Sequence, residues 1–98
     1  MNYYFEEHAR KELRDAISYY EAVDLELGNG FRAAIENTIL LIRQFPNAWP
    51  QLSATTRRCR TKRFPYGLIY RINNNEIQIL AVAHFSREPN YWVDRLWS

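Results

Sequence analysis

The sequence predicts an α+β fold, β-α-α-β-β-β-α: a helical hairpin packed on a small, mainly antiparallel sheet with a short C-terminal helix. Three observations predict it. Apolar residues recur at helical spacing through the first half of the chain. Alternating or continuous apolar runs of strand length fill the second half. Gly, Pro and Asn clusters separate these stretches where a chain must turn.

Each element has its own warrant. Residues 2–5, Asn-Tyr-Tyr-Phe, are aromatic and β-prone and read as a first strand. Beyond Glu6 the period changes, and Ala9, Leu13, Ala16, Ile17, Tyr20 and Leu27 follow one helical face. Glu6 and Glu7 place negative charge at the start of that helix, where its dipole favours it. Gly28-Asn29-Gly30 is expected to end it, with Gly28 as a left-handed cap and Asn29 as N-cap of the next helix. Phe31, Ile35, Thr38, Ile42 and Phe45 form the stripe of the second helix, which must stop near Phe45 because Pro46 follows. So short a link implies an antiparallel hairpin. Trp49 reads as an aromatic plug in a turn, and residues 51–56 as a loop.

Residues 58–62 alternate, with Arg58, Arg60 and Lys62 on one face and Cys59 and Thr61 on the other. Residues 66–72 form the next strand, and the Asn73-Asn74-Asn75 turn follows. Residues 77–83 are apolar at nearly every position, which predicts a central strand covered on both faces. Pro89 and Asn90 introduce a terminal helix over residues 91–97, with Trp92 and Leu96 as its packing face.

Ninety-eight residues suit a single domain, 1–98, with one core. The lone Cys59 cannot form an intramolecular disulfide and reads as buried filler. No apolar run reaches membrane-spanning length, so the expected setting is the cytoplasm without a membrane partner. Charge is sorted along the chain. Residues 1–56 carry five Lys/Arg against eight Asp/Glu, a balance of −3, whereas residues 57–92 carry seven against two, a balance of +5. A positive side favours an anionic partner, either a phosphate backbone or an acidic protein segment; a solvated, charge-protected edge strand is the plainer alternative. There is no metal-spaced cluster, phosphate-cradling glycine loop or serine-nucleophile motif, so no metal or cofactor is expected.

The stretch RRCRTKRFPYGLIYRI followed by a turn, together with AVAHFSREPNYW near the end, resembles the RelE/ParE superfamily of bacterial type II toxins. The resemblance covers almost the whole chain. It implies a growth inhibitor neutralised by a co-encoded antitoxin, whose acidic amphipathic helix or added strand would suit the positive half. It also implies two quite different targets on one scaffold. RelE-like members cut messenger RNA in the ribosome, and ParE-like members inhibit DNA gyrase without known nuclease activity. A non-toxic binding module on the same fold is a third reading.

Metal-free RNA cleavage needs a base for the 2′-hydroxyl, cations for the developing charge and an acid for the leaving oxygen. Lys62, flanked by Arg60 and Arg63, is the candidate base; Arg60, Arg71 and Arg87 are candidate cations; Tyr91 or His84 is the candidate acid. Arg57, Arg58, Arg63 and Arg71 are the further candidates for holding a nucleic acid or protein target. His84 also has a plain hydrogen-bonding reading, and Tyr66 and Tyr70 one as core or groove lining. Aligned with the ribonuclease branch, Arg60, Lys62 and Tyr91 fall on matching positions. Two arginines of that branch fall at Gly67 and Phe85 instead. Those two departures tip the expectation toward the ParE-like, non-nucleolytic activity, with the ribonuclease as the alternative.

Overall fold

The computed structural model describes residues 1–97. The chain forms β1 (Tyr3–Phe5), α1 (Glu7–Val23), α2 (Leu25–Gln44), β2 (Arg57–Arg60), β3 (Tyr66–Asn73), β4 (Glu76–His84) and a 3₁₀ helix, Val93–Trp97. The sheet order is β1-β4-β3-β2, with β1 parallel to β4 and the other pairs antiparallel. The predicted class and element order are therefore observed. Among the described residues no helix is long and apolar enough to cross a membrane.

The helical hairpin forms for a different local reason than the glycines suggested. Helix α1 stops at Val23, and Asp24 adopts an extended conformation between the helices. Its backbone closes the first helix onto the Tyr20 carbonyl. Its carboxylate accepts a 2.9 Å bond from the Glu26 N–H and caps the second. Leu27, Gly28, Asn29 and Gly30 thus lie inside α2, and neither glycine has positive φ. Gly28 is there because the helices cross closely. A Cβ on it would sit 2.3 Å from Glu21 Cγ and 3.1 Å from Glu21 Cα. Helix α2 ends at Gln44 before Pro46, as predicted.

Strand β4 is the centre of the packing. Ile77, Ile79 and Val82 join Phe31, Ile35 and Ile42 in the core beneath the helices. A bulge pairs Ile69 with Ala81 but Tyr70 with Ile79. This turns both Leu80 and Ala81 to the outer side, where Ala83, Ile69 and Trp92 pack with them. The expected burial on both faces is therefore observed. Trp92 is 3% exposed and roofs the outer face.

Two ends differ from expectation. Strand β2 stops at Arg60, because Thr61 turns inward and its hydroxyl donates to the Phe64 and Tyr66 carbonyls. Lys62 thus lies beyond the ladder and does not continue the Arg58/Arg60 face. The terminal helix is one short 3₁₀ segment starting at Val93, after a turn in which Asn90 takes φ 64°. Tyr91 and Trp92 precede it.

Candidate functional site

The outer face of the sheet collects the basic stretch. Cys59 packs inward, so Arg58 and Arg60 on either side of it project outward, opposite Ile69 and Gly67 of β3. Gly67 leaves room for Arg58: a Cβ there would meet Arg58 Cγ and Cδ at 3.0 Å. Arg60 lays its guanidinium 4.9 Å from the centre of the Phe85 ring, which is 46% exposed. Between these groups and the C-terminal turn lies a groove of about 200 Å³. Ile69, Ala83 and Trp92 give it apolar walls, and Arg58, Arg87 and Glu88 give it a charged lining.

Its far wall is held by a residue the sequence reading passed over. Glu12 of α1 accepts bonds from the Tyr91 hydroxyl at 2.6 Å, from Arg95 Nη1 at 2.7 Å and from the Val82 N–H at 3.1 Å. Arg95 also donates to the Leu80 carbonyl at 2.9 Å. Beyond the end of short β1, these two side chains thus satisfy backbone groups of β4. Arg87 stacks 3.9 Å from the centre of the Tyr91 ring, and its Nη1 lies 3.8 Å from Glu12. Burial, then the Glu12 hydrogen bond and charge, push the Tyr91 hydroxyl above its ordinary value, with Arg95 and Arg87 opposing. One signal was present in the sequence. Glu12 stands three residues after Ala9 and four before Ala16, a carboxylate on the apolar stripe.

The other candidates are dispersed. Lys62 lines a different groove, with Leu40, Leu41 and Trp49, between α2 and the β2 edge. Arg63 turns at φ 71° and lays its guanidinium over Phe64 and beside Gly30. Arg57 donates to the Trp49 carbonyl at 2.7 Å. Arg71 donates to Gln78 at 2.7 Å and to the Leu96 carbonyl at 3.3 Å, tying the 3₁₀ segment to the sheet. The Nδ1 of His84 accepts from the Ser86 N–H at 3.0 Å, which leaves that nitrogen unprotonated in this arrangement. Its ring meets Tyr66 edge-on at 5.0 Å. Of the ribonuclease candidates, Arg87 and His84 line the outer groove, Tyr91 borders it with its hydroxyl turned to Glu12, and Arg60, though over the Phe85 ring, lines the α2–β2 groove together with Lys62. Tyr70 is buried in the core, Tyr66 packs half-buried against it, and Cys59 is buried. Among the described residues no cluster of three His, Cys, Asp or Glu side chains could hold a metal.

Comparison with known proteins assigns this arrangement, a helical hairpin on one side of the sheet and a basic outer face roofed by a C-terminal turn, to the toxin half of a type II toxin–antitoxin pair. The chain belongs to the ParE toxin family. A family model described as "ParE toxin of type II toxin-antitoxin system, parDE" matches residues 3–89. Relatives named Toxin ParE2, from Mycobacterium tuberculosis strains CDC 1551 / Oshkosh and ATCC 25618 / H37Rv, are each 31% identical over 80 residues. The match spans 81% of this chain and 76% of theirs. The fold is similar to a chain in a structure titled "Chromosomal ParDE TA system from P. aeruginosa", with a TM-score of 0.62 at 17% identity. That likeness covers 86% of this chain and 95% of the other. A toxin of this family has a cognate antitoxin as its counterpart.

Proposed function

We propose that this ParE-type toxin arrests growth by gripping a protein target, with DNA gyrase the precedent in its family, and does not cut RNA. One observation carries the proposal. The Tyr91 hydroxyl, which a ribonuclease would use as its acid, donates to Glu12 within a part-buried ion cluster, while Lys62 stands in another groove. An acid must reach the leaving oxygen and a base the 2′-hydroxyl of one substrate; these two groups do not face one space. Gly67 and Phe85 also leave the outer face without two of the cations that would stabilise a phosphorane.

The antitoxin is assigned to the opposite side. The groove between α2 and β2 has about 440 Å³, exposed Leu40 on its lip and Lys62 and Arg60 beside it. Strand β2 is the edge strand of the sheet, bridged on its outer side by Gln51 at Arg57 and by the Arg58 N–H bond to the Pro50 carbonyl at 3.0 Å. An acidic amphipathic helix in that groove, or a strand added to β2, would bury the apolar lip and pair the rest of the edge. Purified toxin added to a gyrase supercoiling reaction and to a translating ribosome extract tests the target. Supercoiling is expected to stop while the message stays intact. Message cleavage that Lys62→Ala or Tyr91→Phe abolishes would establish the ribonuclease instead.

A further inference from the structure

We propose that the outer groove is the target-binding cleft, and that its occupant is an acidic segment of the target protein carrying a large apolar anchor residue. The inference rests on the protein-contact reading and assigns it a surface and a chemistry. Apolar walls of Ile69, Ala83 and Trp92 run between the charged groups. Phe85 and Leu52, 46% and 39% exposed, stand beside them. Ile69, Ala83 and Trp92 are themselves buried, so Phe85 and Leu52 supply the exposed apolar surface; rimmed by polar groups, such surface marks protein contact and suits a bulky apolar side chain.

The charges decide between a polypeptide and a phosphate backbone. Arg87, which lines the groove, lies over the Tyr91 ring, and Arg60, outside the lining, lies over the ring of Phe85 at the groove's edge. Stacked in this way, their N–H edges remain directed to the sides, and a fixed planar fork suits a carboxylate. Glu88 lines the same groove and opposes a run of closely spaced phosphates. A segment with separated carboxylates can place its charges against the arginines and leave the Glu88 side empty. The occupant is the target and not the antitoxin, because the antitoxin's apolar seat lies across the sheet, along α2.

The test uses the full-length toxin and a fluorescent twelve-residue peptide of alternating Asp/Ser and Glu/Gly pairs with one central Trp. Controls are the same peptide with Ser for Trp, and a twelve-nucleotide single-stranded RNA. The Trp peptide is expected to bind about tenfold more tightly than either control. Arg87→Gln and Phe85→Ala should each weaken it about tenfold, since a lining charge and an apolar contact are lost. Both side chains are exposed, and thermal melts of these variants should match the wild type. Binding of the antitoxin encoded beside the toxin should be unchanged. Equal affinity for RNA, indifference of the peptide to these substitutions, or loss of antitoxin binding in Arg87→Gln would each overturn the assignment. Peptide binding without any effect on gyrase would leave the cleft in place and remove only the target.

Discussion

Glu12 should be the most stability-sensitive charged residue of the C-terminal roof. Replacing it with Ala removes a charged acceptor from the part-buried Arg95 guanidinium, the Tyr91 hydroxyl and the Val82 N–H. Breaking one side of a buried ion pair costs about 3–5 kcal/mol. The two side chains are 16% and 13% exposed, and Arg95 keeps the Leu80 carbonyl, so the lower end applies: about 3 kcal/mol. Glu12→Gln keeps an acceptor and the shape but loses the charge, and should cost about 1.5 kcal/mol. For a chain of this size about 3 kcal/mol corresponds to a fall in Tm of about 12–24 °C. Urea unfolding followed by tryptophan fluorescence measures it. Tyr91→Phe combined with Glu12→Ala should cost less than the sum of the two, because they remove one shared bond. A Glu12→Ala variant within about 0.5 kcal/mol of the wild type would refute the clasp.

Other consequences follow from the same contacts. Burial pushes Cys59 up to about 11 and Tyr70 up to about 12, and raises Tyr66 and Tyr91 as well. Above about pH 9–10 the unfolded chain sheds protons that the folded chain retains, so stability should fall steadily to pH 12; a flat alkaline limb in unfolding titrations would contradict this. Gly28→Ala should destabilise by about 1–3 kcal/mol, although Ala favours helix, because its methyl meets the Glu21 backbone. A gain in Tm would show that α1 yields freely. Restoring the two missing arginines as Gly67→Arg with Phe85→Arg should not create message cleavage in a translation extract, since Tyr91 stays with Glu12 and Lys62 stays outside the groove. Cleavage by that double variant would contradict the proposed division.

How much of this was legible in the sequence depends on the range of the interaction. The run from Ile77 to Ala83 reports its own burial, because every position but Gln78 is apolar and no partner need be known. The hairpin was visible, but its break was not. Gly28-Asn29-Gly30 carries the stronger punctuation, yet a single extended Asp24 both ends α1 and caps α2. Gly28 answers to Glu21 across the helix crossing and Gly30 to the Arg63 guanidinium, tertiary contacts that leave no local pattern. Lys62 was placed one step too far along an alternation that the Thr61 hydroxyl interrupts. In the site, Gly67 and Phe85 were legible as departures from a related pattern. Tyr91 was legible as a polar tyrosine near the end, but its partner Glu12 lies 79 residues away. Only packing brings them together.

The central claim, that this toxin acts by contact and without a lysine–tyrosine nuclease pair, meets its most direct test in cells. Wild-type, Lys62→Ala and Arg87→Gln toxins would be induced without the antitoxin, scoring growth and plasmid supercoiling together. Lys62→Ala should arrest growth and relax plasmids as fully as the wild type, whereas Arg87→Gln should do neither despite equal folding. Loss of arrest in Lys62→Ala, with supercoiling undisturbed by the wild type, would contradict the account.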